Sequence, residues 1–212
     1  MRIVFSIYIL ILLTFVSCSD EDANINREIK KQIIDNNITK EDTNQSTTKP
    51  KVSISRDEKI NFTLTDFDQN SKYSKKFTVY KEGIDFKNIT QNITILHFLS
   101  TKCKPCIGQI PYLSDLQSKY RKDIFLMGVV VDDNISNSNL KEFANKNNAI
   151  FFLSNNNNGD KLISTISKQL GIEKIMLPLT IIYKRGAYYI HYEGSAPIEM
   201  IESDILQALE KK

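Results

Sequence analysis

The sequence is poor in the residues that most often carry chemistry. Its 212 residues include three cysteines, two histidines and no tryptophan. Three cysteines are too few for a disulfide-stapled scaffold, and with two histidines they barely suffice for one metal site. Lys and Arg number 28 against 25 Asp and Glu, a formal charge of +3, and they are scattered along the chain. No basic stripe forms, so we expect no nucleic-acid partner.

The N-terminus has the pattern of an exported protein. Residues 1–17 consist of Met and Arg followed by an uncharged apolar run. This run is shorter than the ~20 apolar residues that cross a bilayer with ease, which favours a cleaved signal peptide. The residues Phe15-Val16-Ser17-Cys18 resemble the lipobox of bacterial lipoproteins, which implies a lipid on Cys18. A short uncleaved anchor is the alternative, and either one places the protein outside the cytoplasm, in the cell envelope.

The composition changes once along the mature chain, at about residue 53. Residues 18–52 are rich in Asn, Asp, Glu, Lys and Thr, with too few apolar side chains to offset the entropy of ordering. We expect a flexible tether there. From residue 53 to residue 212 the apolar residues become periodic. That length suits a single domain, and 41% hydrophobic with 25% charged residues is typical of globular proteins.

Periodicity predicts alternating strands and helices. Ile60–Leu64 and Phe77–Tyr80 alternate as in a β-hairpin, whereas the apolar run Ile93–Leu99 is typical of a strand covered on both faces. Further strands are predicted at Ile124–Val131, Ile150–Leu153, Leu179–Tyr183 and Tyr188–Tyr192, the last as an edge strand with His191 on the surface. Helices are predicted at Cys106–Tyr120, Asn139–Asn147, Asp160–Leu170 and Pro197–Lys211. The turn Lys184–Ala187 indicates a hairpin, so the sheet mixes parallel and antiparallel pairs.

The central motif is Cys103-Lys104-Pro105-Cys106, between the long apolar strand and a helix. Free N–H groups and the positive helix end face the first sulfur there, which stabilises the thiolate that attacks disulfides. The second cysteine can then resolve the mixed disulfide. A structural zinc site needs four ligands, and beyond this pair only the two histidines His97 and His191 remain to complete one. Attachment of c-type haem is excluded because Ile107 replaces the required His. A fortuitous pair of buried cysteines is the remaining alternative.

The segment from His97 to Tyr120 resembles the active-site strand and helix of the thioredoxin superfamily, in particular its extracytoplasmic TlpA/ResA-like group. Pro111 matches the proline that kinks the active-site helix, and Leu177-Pro178-Leu179-Thr180 matches the cis-proline loop. The resemblance covers about residues 55–212. It implies an α/β fold, a thioredoxin-like three-layer α/β/α sandwich with a mixed central sheet and an N-terminal β-hairpin extension.

The resemblance also implies roles for single residues. Cys103 and Cys106 would form the catalytic disulfide, and a cis Pro178 would place Leu177 backbone groups beside the sulfurs. His97 stands where thioredoxin has a buried Asp, so it either accepts the Cys106 proton or only forms a hydrogen bond in the core.

Two other positions depart from the family pattern. Lys102 replaces the Trp that most relatives carry before the first cysteine, so substrate docking near the sulfurs can differ. Gln109 replaces the Glu of several cytochrome c maturation reductases, which puts that class of substrate in doubt.

The function implied is that of a protein-disulfide oxidoreductase without a cofactor. We expect it to reduce disulfides of periplasmic proteins, cytochrome c maturation being one candidate process, and to be re-reduced by a membrane thiol-electron carrier of the DsbD or CcdA type. The Lys-Pro dipeptide differs from the Pro-His of the strong oxidant DsbA, which favours a reductant. One alternative is a thioredoxin-like copper metallochaperone using Met176, and another is a surface lipoprotein with vestigial thiols.

Overall fold

A computed structural model describes residues 58–67, 74–155 and 158–210 of the chain. The predicted signal peptide, the tether at 18–52 and the lipidation site Cys18 lie outside these residues. Within the three described ranges, no helix is both long enough and apolar enough to cross a membrane.

The described residues form one mixed sheet and four helices. The strands are β1 (Ile60–Leu64), β2 (Lys75–Tyr80), β3 (Gly83–Lys87), β4 (Ile93–Leu99), β5 (Ile124–Val130), β6 (Phe152–Ser154), β7 (Leu179–Lys184) and β8 (Ala187–Glu193). The helices are α1 (Lys104–Lys119), α2 (Asn137–Lys146), α3 (Gly159–Leu170) and α4 (Ile198–Glu210). The strand order is β1-β2-β3-β8-β7-β4-β5-β6.

Strand β4 lies inside the sheet and carries the active-site segment. It runs parallel to β5 and antiparallel to β7, and all seven of its residues are buried. Side chains alternate between the two faces of a strand. Ile95 and Leu99 therefore join a core cluster with α1 and α4, while Leu96 and Phe98 join a second cluster with α3 and with β1 and β2. This arrangement confirms the predicted α/β/α sandwich with a mixed sheet.

The N-terminal extension has one strand more than predicted. Strands β1, β2 and β3 form an antiparallel meander, and β3 reaches β8 through the single pair Gly83–Ala187. The backbones approach closely at this point, since Ile84 N donates to Gly186 O at 2.8 Å and a Cβ on Gly83 would lie 2.4 Å from the same oxygen. The prediction of β8 as an edge strand is therefore wrong, because β3 lies beside one of its ends.

Candidate active site

The two cysteines of the motif lie where α1 begins. Cys103 is the N-cap residue, with extended backbone at φ −81° and ψ 104°, and its Sγ accepts a hydrogen bond from Cys106 N at 3.2 Å. The structure joins the two cysteines by a disulfide with an S–S distance of 2.03 Å. Pro105 occupies the first turn, where its missing N–H is not required, and Pro111 lies inside the helix. The first sulfur is therefore placed at the positive end of the helix dipole.

The two sulfurs differ in burial. Cys103 is partly exposed, whereas Cys106 is fully buried and packs with Ile110 and Leu99 in the core cluster beneath α1. A large partner can therefore reach only Cys103. Cys106 is placed to attack Cys103 from inside the protein. Thiol–disulfide exchange needs the client to react with Cys103 first and Cys106 to attack Cys103 afterwards, and this difference in burial favours that order.

The loop that precedes β7 lies at the same edge of the sheet. The Leu177–Pro178 peptide bond is cis, as the resemblance implies. Leu179 at the start of β7 pairs with Phe98 near the end of β4, so Pro178 lies at the edge from which the Cys103 segment leaves the sheet. Leu177 is partly buried and packs against the core cluster that holds Cys106. In the same loop Met176 is 46% exposed.

His97 lies in β4 and is fully buried. Its Nδ1 is 2.9 Å from Thr180 Oγ1 on β7, while its Nε2 has no hydrogen-bond partner among the described residues. Burial lowers the pKa of His97 from 6.5 to about 4, so the imidazole is neutral at pH 7. By strand alternation it faces the same side as Ile95 and Leu99, the side on which Cys106 is buried.

Gln109 follows Cys106 by one turn of α1 and is 6% exposed. Its Nε2 donates to Ala196 O at 2.7 Å, which ties α1 to the loop before α4. The side chain carries no charge, so the described site holds no carboxylate at this position.

His191, predicted on the surface, is half-buried, with Nδ1 2.8 Å from Tyr188 OH and Nε2 3.6 Å from Glu193.

One group of residues at the site was missed by sequence reasoning. Asp133 follows β5 and contacts both residues that precede Cys103, through hydrogen bonds from Thr101 and an ion pair with Lys102. The signal was present, because Asp132-Asp133 directly follow a predicted buried strand. Parallel neighbouring strands such as β4 and β5 end at the same edge of a sheet, and functional groups gather there.

No protein-family model matches this sequence, and none of the curated proteins matches it either. Solved structures do match. A thiol:disulfide interchange protein of the thioredoxin family from Chlorobium tepidum is 16% identical, with a TM-score of 0.53, over 70% of this chain and 93% of that one. The exposed lipoprotein thioredoxin of Streptococcus pneumoniae is 15% identical, with a TM-score of 0.51, over 70% of this chain and 99% of that one. A third structure, assigned as the interchange protein DsbE of Chlorobium tepidum, is 21% identical over 71% of this chain and 94% of that one, with a TM-score of 0.50. At these identities the similarity establishes the fold.

Proposed function

We propose that this chain, which by its fold is a member of the thioredoxin superfamily, is an extracytoplasmic thiol:disulfide oxidoreductase that reduces disulfides in periplasmic proteins. The observation that carries the proposal is the pair formed by a partly exposed Cys103 at a helix N-terminus and a buried Cys106 bonded to it. A thiolate is stabilised at the first position, and an internal attacking group is provided by the second.

The reaction proceeds in two exchanges. The Cys103 thiolate attacks one sulfur of a client disulfide, which breaks the client S–S bond, forms a mixed disulfide and releases one client thiolate. The Cys106 thiol then loses its proton, and its thiolate attacks Cys103 Sγ. This forms the Cys103–Cys106 disulfide and releases the second client thiolate. The client gains two electrons and the protein loses two.

The proton of Cys106 needs an acceptor, because that sulfur is fully buried. We propose His97 for this role. Its Nε2 is free of other partners among the described residues, it faces the Cys106 side of the sheet, and the imidazole is neutral at pH 7. The negative charge that develops on the Cys106 sulfur as its proton leaves favours the imidazolium form of His97, and this assists the proton transfer.

The remaining parts of the proposal concern location and partners. A lipid on Cys18 and the tether at 18–52 would hold the domain near the membrane, and a carrier of the DsbD or CcdA type would supply two electrons per cycle. A similar structure is described as an exposed lipoprotein, which supports an envelope location. Cytochrome c maturation is one candidate process for the clients, but the uncharged, buried Gln109 favours other clients.

Client trapping tests the proposal. A full-length Cys106→Ala variant, produced in bacterial cells, lacks the resolving thiol and is expected to accumulate mixed disulfides through Cys103. These appear as higher-mass species on non-reducing gels and disappear with dithiothreitol. The matched control is the Cys103→Ala/Cys106→Ala double variant, which should form none. Identical adducts from both variants, or none from the single variant, would contradict the proposal.

A further inference from the structure

Asp133 contacts the segment before the disulfide in three ways. Its carboxylate accepts a hydrogen bond from Thr101 N at 3.0 Å and another from Thr101 Oγ1, and it lies 3.2 Å from Lys102 Nζ. The Asp133 side chain is only 5% exposed, whereas that of Lys102 is 79% exposed. A buried carboxylate thus anchors the otherwise solvated ammonium of Lys102, the residue that directly precedes Cys103 in the chain.

The carboxylate is ionised near neutral pH. Burial alone would raise the pKa of Asp133, but hydrogen bonds from Thr101 and the nearby Lys102 more than offset it, and the net effect is a lowered pKa. A negative charge therefore contacts the two residues that directly precede Cys103, and it opposes the stabilisation that Lys102 and the helix N-terminus give to the thiolate.

We propose that Asp133 is a positioning residue for the redox pair: it fixes the Thr101–Lys102 segment and neutralises the Lys102 ammonium, so that Cys103 is held less strongly as a thiolate. The inference rests on the proposed function and deepens it. A cysteine pair is a strong oxidant when its reduced form is stabilised. A pair whose reduced form is less stabilised is therefore a stronger reductant. The ion pair thus favours the reducing direction.

Other charged groups near this edge are unchanged in the test. Lys104 is exposed in the first turn of α1, Asp132 is exposed beside Asp133, and Asp160 Oδ1 accepts a hydrogen bond from Asp132 N at 2.8 Å. The buried His97 is neutral at pH 7. None of these is altered in the variants below, so their contributions cancel in the comparison.

The test is a titration of the Cys103 thiolate by its ultraviolet absorbance in the reduced full-length protein. Removing the carboxylate charge with Asp133→Asn is expected to raise the thiolate-to-thiol ratio of Cys103 about threefold. This is the change in the ratio that one partly screened charge contact produces. The equilibrium with glutathione should shift toward the dithiol in the same variant. Lys102→Met should shift both quantities the other way, and the double variant should return close to the wild type.

Thr101→Val separates charge from structure. It removes the hydroxyl donor and keeps the Asp133–Lys102 pair, so we expect lower stability to urea with little change in the thiolate ratio.

A thiolate ratio within about 1.5-fold of wild type in both Asp133→Asn and Lys102→Met would overturn the inference. If Asp133→Asn fails to fold, Lys102→Met decides alone. The titration needs no client, so a protein inactive toward disulfides that still shows these shifts would refute the proposed function and leave the positioning role standing.

Discussion

Replacing Cys103 by serine lowers the rate of protein-disulfide reduction by about 10³-fold or more, to the rate measured without the protein. Serine has nearly the size of cysteine and can still cap α1, but its hydroxyl is not ionised at neutral pH and forms no disulfide. The partly exposed sulfur of Cys103 is the only one of the pair that a protein client can reach. The measurement is the reduction of insulin in the presence of a small thiol donor.

The matched control is Cys18→Ser, which removes the third cysteine and leaves both cysteines of the motif in place. It should reduce insulin at the wild-type rate, because Cys18 has no proposed part in the exchange. Equal melting temperatures of the reduced proteins would show that Cys103→Ser folds normally. A Cys103→Ser variant that keeps half the wild-type rate would exclude Cys103 as the attacking group.

Acid lowers the stability of the protein through His97 by about 3 kcal/mol, a change of more than a hundredfold in the unfolding equilibrium. Its pKa is lowered from 6.5 to about 4 in the folded state by burial, and a tenfold change in proton binding is worth about 1.4 kcal/mol. Between these two pH values the unfolded chain binds a proton that the folded protein does not. Stability therefore falls as the pH drops from about 6.5 to about 4, and this contribution vanishes above pH 6.5.

Urea unfolding at a series of pH values measures the effect, with His97→Asn as the comparison. Asparagine keeps a polar group near Thr180 Oγ1 but does not titrate, so its cost in stability is independent of pH. Carboxylates contribute equally to both proteins and cancel in the difference. If the wild type and His97→Asn lost the same stability between pH 7 and pH 4, the imidazole would not be held neutral by burial.

Much of the site could be predicted because its signals are local. The cysteine spacing, a Pro at the start of the helix and the strand that precedes it all lie within one short segment, and they placed Cys103 at the helix N-terminus. Helix α1 begins at Lys104, two residues before the periodic apolar pattern, and Cys103 is its N-cap residue, as the motif predicted. The position of Pro178 at the same edge followed from the resemblance and agrees with the register of β4 and β7.

What the sequence did not reveal depends on contacts between distant segments. Strand β3 offers only Ile84 and Phe86 to the core, and its pairing with β8 depends on a close approach of two glycines far apart in the chain. Asp133 is one of two adjacent acidic residues in a polar stretch, and only the parallel pairing of β4 with β5 brings its carboxylate to Thr101. Burial of His97 was predictable, but its bond to Thr180 was not.

The most direct test of the account is a redox titration of the folded protein against glutathione buffers, with thiols counted by alkylation and mass. The account predicts a reversible two-thiol transition at Cys103 and Cys106, with a potential near the about −270 mV of thioredoxin. A value near the about −120 mV of DsbA would contradict the reductive direction. A disulfide that opens only when the protein unfolds would contradict the redox function itself.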